Sequence, residues 1–345
     1  MQRSENADGV IERIDDNLKQ RPTEPKPKLN NESPRTQSTE VIKVKKKAQL
    51  PENCRFQESL KKVLLVINFN FIHYTVLPTL REFYTPHFGK VVFCGPEEDA
   101  RYGKIIKMNS VAGYQGYHCL AKAIEIYRGA GFDGYFYSND DVMLHFWNLN
   151  GDINKIWLGD KILWNDAQEL NKPLRQWSLW TGNTERCKDI LNKLANDSTA
   201  ISYVQTYNKN VMRHFYKVVV KDQQQLVPNP KQEQRICVKG WSDAFYIPAR
   251  HAESYLRLAN MFEAEKLFLE IASAMILTML DDVTQMLNLN GIYHAGNKLG
   301  FYGTYSFGRT FSHPFKLGKE INKQFFKNVI VPYSQHIVND CKLVA

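Results

Sequence analysis

The stretch KKVLLVINFNF, Lys61 to Phe71, limits the fold more than any other in this chain. Val63 to Ile67 is an unbroken apolar run rich in β-branched residues. A strand covered on one face alternates apolar and polar positions. One that is apolar at every position is buried on both faces, as in a parallel sheet with helices above and below. The segments that follow keep to that plan. VLPTLREFYTPHF reads as helical, and KVVFCGP (Lys90 to Pro96) as a second strand closed by a Gly-Pro turn. GYHCLAKAIEIYRGAG is amphipathic, with Leu120, Ala123, Ile124 and Tyr127 on one face and Gly129 and Gly131 ending it. GYFYS then forms a third strand and runs straight into Asn139, Asp140 and Asp141.

Strand, helix, strand, helix, strand is the pattern of an α/β sheet with parallel strands. Further on, residues 147–180 have no clean period and read as loops with short elements. Helices are expected in ERCKDILNKLAN and in AISYVQTYNKNVMRHFYKVVV, and an exposed loop at Gln223 to Gln234. GWSDAFYIPARHAESYLRLANMF reads as a strand and a helix, KLFLEIASAMILTML as a buried helix, and the chain closes on a short helix after a Gly- and aromatic-rich run. Residues 1–56 are polar and bury too little surface to offset ordering entropy, so they read as a disordered tail or stem. A single domain is expected over 57–335, with a C-terminal tail at 336–345.

Composition narrows the function classes. At 345 residues, 43% hydrophobic and 23% charged, the chain is of ordinary globular make-up. Its net charge of +9 suits a phosphorylated or acidic substrate. The longest basic run, Lys43 to Lys47, is short and lies in the polar tail, so nucleic acid is not expected as a partner. The six cysteines have no CxxC spacing, which argues against structural zinc and against a small disulfide scaffold. One or two disulfides fit a luminal protein, with pairings that sequence does not reveal. No segment reads as a membrane span: Ile271 to Leu280 is about half the length needed. No signal peptide or anchor is visible near Met1, which fits either a cytoplasmic protein or a chain without an anchor that a longer form carries.

Ligands of parallel sheets bind outside the carboxyl ends of the strands, and Asp140 and Asp141 stand at one such end. Adjacent carboxylates there suit a hard divalent cation that keeps open positions for phosphate. An apolar strand ending in SNDDV, late in an α/β sheet, resembles the DxD motif of GT-A-fold glycosyltransferases, here Asn139-Asp140-Asp141 with Asn in the first place. The resemblance spans about Val63 to Lys316. It implies a GT-A-like, Rossmann-type, mostly parallel sheet flanked by helices. It also implies Mn²⁺ or Mg²⁺ bridging the diphosphate of a nucleotide-sugar such as a UDP-sugar. By resemblance Asp141 ligates the metal, Asp140 contacts the ribose or the metal's water shell, and His313 in SHPFKLG supplies a late metal ligand. Lys316 would reach the donor phosphates as a point charge, as would Arg309 in the loop GFYGTYSFGRTF. Asn68 and Asn70, closing the first strand, would meet the base and ribose.

Sugar transfer also needs a carboxylate near the acceptor, either taking a proton or stabilising positive charge at the sugar. Asp243 in GWSDAFYIP and Glu270 in FLEIA are the candidates. Glu270 sits in an apolar helix and so needs a partner or a raised pKa. Asp243 has a second reading, as a hydrogen-bonding group for an acceptor sugar stacked on Trp241. His118 reads as structural. The expected acceptor bears carbohydrate or is a protein or lipid, and the family places such enzymes mostly in the Golgi lumen. Asn31-Glu-Ser and Asn196-Asp-Ser are N-glycosylation sequons, which suit that compartment. Two other readings use the same residues: a metal-dependent phosphoesterase or nucleotidyltransferase, and a degenerate transferase fold that binds or scaffolds.

Overall fold

The computed structural model describes residues 52–108, 114–159, 162–164, 178–221, 237–240, 242–294 and 305–344. The expected loop at Gln223 to Gln234, Trp241, the Asn31 sequon, and most of the polar tail lie outside the described residues.

The architecture is mixed α/β, with helices on both faces of a mostly parallel seven-stranded sheet. Strand β1 (Val63–Asn68) is central and pairs in parallel with β2 (Lys90–Gly95) on one side and β4 (Gly134–Asn139) on the other. Strand β3 (Ile106–Lys107) extends the β2 edge in parallel. Beyond β4, strand β9 (Ala244–Pro248) enters antiparallel and carries β6 (Trp157–Leu158), which in turn pairs with β10 (Leu287–Asn288). A short second sheet joins β5 (Met143–Leu144), β11 (Ile292–Tyr293) and β12 (Phe311–His313). β7 (Ile162–Trp164) pairs with β8 (Val238–Gly240).

Every residue of β1 is buried, as its apolar run requires, and the pleat divides them between two cores. Leu64 and Val66 join Val92, Tyr135, Tyr137, Phe245 and Ile247 in one core. There they meet α3 (Gly116–Tyr127), α4 (Ser178–Asn196), α5 (Ile201–Lys221), α6 (Ala252–Ala264) and α7 (Leu269–Leu280). Val63, Leu65 and Ile67 face a second core rich in aromatic rings. It is closed by α1 (Glu52–Ser59), α2 (Leu77–Tyr84) and the C-terminal segment. Burying one such aliphatic side chain contributes about 1.5–3 kcal/mol. Helix α7 is buried almost all round, from Leu269 through Met279, as its apolar sequence implies.

The folded region runs past both expected limits. Helix α1 begins at Glu52, with Cys54 and Phe56 buried and the Phe56 ring 5.6 Å from Trp157. At the other end come α8 (Glu320–Phe325), a π-helical turn (Phe326–Ile330) and α9 (Val331–Val344), and α9 runs on from the expected domain through the expected tail as far as Val344. A Cys54–Cys341 disulfide ties the two ends together. A closing helix was expected from sequence and α1 was not, and each end is held by a partner distant in sequence. Two more disulfides, Cys94–Cys119 and Cys187–Cys237, pair all six cysteines, one more than the expected upper number.

Candidate functional site

The site forms where β1 and β4 end. They are parallel and in register, Asn68 opposite Asn139, so both chains leave the sheet at one level. Antiparallel β9 enters at that level, with Ala244 opposite Ser138, which lays Asp243 beside Asn139. The Asn139 backbone N–H donates to the Asp243 carbonyl at 2.9 Å, and its side-chain Nδ2 to Asp243 Oδ1 at 2.8 Å. After the acids the chain turns tightly into β5, which pairs with β12. β12 delivers His313 at its end, with Nε2 3.3 Å from Asp141 Oδ1 and 3.4 Å from Asp243 Oδ1. The Phe315 N–H donates to the Asp141 carbonyl, and Lys316 exerts its charge on both Asp140 and Asp141. The first turn of α7 brings Glu270 near enough to repel Asp243 and to be attracted by His313 and Lys239.

The fold therefore gathers Asp140, Asp141, Asp243, Glu270, His313 and Lys316 at one place, although 176 positions separate Asp140 from Lys316. The charges are poorly balanced. Burial pushes the Asp140 carboxyl up to about 7, and the neighbouring Asp141 charge adds to the rise. Burial also raises Asp243, only partly offset by His313 and reinforced by Asp141. Glu270 rises to about 8 through burial and then repulsion from Asp243. At Asp141 burial pushes the same way, but the His313 ion pair and Lys316 together outweigh it and hold this carboxyl below its ordinary range. His313 answers: burial lowers it, yet Asp141, Asp243 and Glu270 leave it raised. Asp243 Oδ2 is buried and has no hydrogen-bond partner. A buried carboxylate oxygen left so is costly unless a cation or donor reaches it.

The amides behave differently from expectation. Asn68 is fully buried, and its Nδ2 donates to Asn70 Oδ1 at 2.9 Å and faces Asn139 Oδ1 at 3.5 Å. Asn139 is buried too: its Oδ1 accepts from the Tyr137 hydroxyl at 2.8 Å while its Nδ2 holds Asp243. Asn68 was expected to meet the base and ribose, and Asn139 opens the motif expected at the metal and diphosphate. Both instead point inward, because strand-end amides at this depth must satisfy one another. Asn70 is half-buried, and its backbone N–H supports the Asp140 carboxylate. Arg309, expected at the phosphates, pairs its side chain with Asn290, and its carbonyl accepts from His145 and Asn148. His118 holds Asn260 at 2.8 Å on α6, in keeping with a structural role.

Tyr137 was not singled out from sequence, although it precedes Asn139 by two residues and so shares its side of β4. Its hydroxyl is allowed close to Asn68 by Gly116 at the start of α3. A Cβ there would meet the Tyr137 oxygen at 2.7 Å and Asn68 Nδ2 at 3.0 Å. Lys239 and His294, whose charges act on Glu270 and His313, were also missed, because only strand and sheet packing bring them near.

As donors, carboxylate oxygens and one imidazole suit Mn²⁺ or Mg²⁺, and the unpartnered Asp243 Oδ2 is an atom such a charge would relieve. Among the described residues no three His, Cys, Asp or Glu side chains are spaced as a ready-made metal cage. Asp141 and His313 form a pair, the number of protein ligands a cation keeps when phosphate oxygens and water complete its shell. Also among the described residues, no helix is long and apolar enough to cross a membrane. Compared with protein-family models, with curated proteins and with solved structures, the chain matches none.

Proposed function

We propose that the chain is a metal-dependent glycosyltransferase of the GT-A type, moving a sugar from a nucleotide-sugar donor to a carbohydrate, protein or lipid acceptor. One observation carries this reading: excess negative charge, including the buried and unpartnered Asp243 Oδ2, collects at the carboxyl ends of parallel strands. Among the described residues several exposed carboxylates are matched by a cation, as Asp99 is by Arg101 and Glu265 by Lys193. Here a divalent cation and the phosphates it carries are the natural complement.

In this reading Asp141 and His313 hold Mn²⁺ or Mg²⁺, with Asp140 beside them. Bound there, the cation would neutralise charge on the diphosphate as it leaves. Lys316 lies on the same side as the two aspartates and would hold the outer phosphate oxygens as a point charge. Asn139, braced by Tyr137, holds Asp243 through Oδ1 and leaves Oδ2 as the oxygen a cation would reach. Glu270, with its proton affinity lifted close to neutrality, is suited to accept a proton from an acceptor hydroxyl. The three disulfides fit a chain that folds in an oxidising compartment, as the resemblance to Golgi enzymes also suggests.

The test is calorimetric binding of UDP and of GDP, with and without Mn²⁺, on the wild type and on Asp141→Asn. Metal-dependent binding of one nucleotide, weakened at least about 100-fold in the variant, is expected for removal of a direct ligand. If neither nucleotide binds in the presence of metal, the transferase reading is lost and a binding or scaffold role takes its place. Metal binding that is unaffected by nucleotide, together with hydrolysis of a simple phosphate ester, would favour the phosphoesterase reading.

A further inference from the structure

We propose that Asn196 carries an N-linked glycan on the turn between α4 and α5. The inference does not depend on the transferase reading. It rests on a motif that reading leaves unused, Asn196-Asp197-Ser198, an asparagine two residues before a hydroxyl. Helix α4 ends at Asn196 and α5 opens at Ile201, so the triplet falls on the connection. Asn196 and Ser198 are both exposed. The turn is built through their neighbours. Asp197 Oδ1 accepts from the Thr199 backbone N–H at 2.8 Å and from its hydroxyl at 2.5 Å. The Asp197 carbonyl accepts from the N–H groups of Ala200 and Ile201. That arrangement holds the corner without using the Asn196 amide or the Ser198 hydroxyl, and leaves both open to solvent.

The second observation is independent of the motif. All six cysteines are paired in disulfides, across 287, 25 and 50 positions. Disulfides of this kind persist in the compartments where asparagine glycosylation is carried out, and are rare where thiols are kept reduced. The turn's position is permissive too. Tyr203 meets Ser254 at 3.0 Å and Thr199 meets Arg257, so the corner packs on the first half of α6. Helix α6 follows the end of β9, where Pro248 lies opposite Gly134 at the start of β4. The carboxylates stand where β4 ends, at the opposite end of the strands, so a glycan on the turn leaves the site open.

The donor is a lipid-linked oligosaccharide diphosphate. The bond from sugar C1 to the diphosphate oxygen breaks, a C1–N bond to Asn196 Nδ2 forms, the amide gives up one proton, and the lipid diphosphate leaves. No electrons change hands.

The test is peptide mapping of the full-length protein isolated from its own cells, before and after treatment with a peptide N-glycosidase. Enzymatic release should convert Asn196 to Asp in the mapped peptide. Recovery of that peptide unmodified before treatment overturns the proposal, as does a glycan found at Asn31 alone. Asn196→Gln and Ser198→Ala, both on the exposed turn, should each abolish the same mass increment while leaving the thermal midpoint of the deglycosylated protein unchanged. A glycan that survives Ser198→Ala also overturns it. Free thiols in the native protein at all six cysteines would remove its second support.

Discussion

The two ends of helix α7 each carry acid, and they are treated in opposite ways. At the amino end is Glu270, where an acid is favoured by the helix dipole. At the carboxyl end stand Asp281 and Asp282, where the dipole disfavours one. Yet the disfavoured pair is the well-matched one. Asp281 is met by Arg250 at 2.7 Å and His251 at 3.2 Å. Asp282 accepts from Thr284 and meets Arg213 at 2.6 Å, and these hold its carboxyl below the ordinary range. Glu270, in the favourable position, faces another carboxylate and is pushed up to about 8 by burial and by Asp243. A dipole contributes typically about 0.3–1 kcal/mol, too little to offset burial beside a like charge. One end spends its residues on stability, whereas the other buries an acid beside a second carboxyl group, as ligand-binding sites do.

The comparison can be broken most severely at Glu270. Glu270→Gln should lower sugar transfer by about 10²–10⁴, the usual worth of a positioned acid–base group, with nucleotide binding little changed. If transfer survives at wild-type rate, the amino-end acid is as inert as the carboxyl-end pair. The same variant has a stability signature. The folded-state pKa of Glu270 lies above its unfolded value of about 4.5. Its contribution to stability is therefore fully present below that value and is lost as pH rises toward 8. Glutamine stays neutral throughout, so the metal-free variant should gain on the wild type between pH 5 and pH 8, by at least about 1 kcal/mol. Equal thermal midpoints at both pH values would mean that Glu270 does not carry this burden. Asp140 and Asp243, also raised, add to the wild type's loss in the same sense.

A smaller effect is expected in the middle of the helix. Ser273 is fully buried and its hydroxyl has no hydrogen-bond partner. Ser273→Ala should therefore be neutral or stabilising by up to about 1 kcal/mol in chemical denaturation. A clear loss of stability would show that the hydroxyl is satisfied. The smallest effect is at the far end. Arg250→Ala removes a half-exposed partner from Asp281 but leaves His251, and should cost about 0.5 kcal/mol, less at high salt. A cost of several kcal/mol would mean that the carboxyl end of α7 is as finely balanced as the amino end.

Much of this was legible locally. The continuous run at Val63 to Ile67 meant a strand with two covered faces, and it is divided between two cores. The 3.6 periodicity of Gly116 to Tyr127 meant a helix packed on the sheet, and α3 spans those residues. Asp140 and Asp141 were placed at a strand end because the apolar run stops there. These features depend on residues a few positions apart, and side-chain period is a property of short backbone geometry.

Other features depend on residues far apart, and only tertiary structure decided them. That β9 enters antiparallel beside β4 fixes Asp243 next to Asn139, and nothing in GWSDAFYIP states a direction. The inward turn of Asn68 and Asn139 follows from the depth of the strand ends, which sequence does not measure. Arg309 was judged by its charge, but its side chain had a nearer partner in Asn290. Cysteine pairings and the capture of residues 52–59 and 331–344 depend on contacts across nearly the whole chain. Sequence determined the strands β1, β2 and β4, the helices α3 and α7, and where the first acids stand, because local periodicity carries that information. Which distant carboxylates share a site, and which of them remain unpaired, was decided by strand order and direction, since buried charges interact through space and not along the chain.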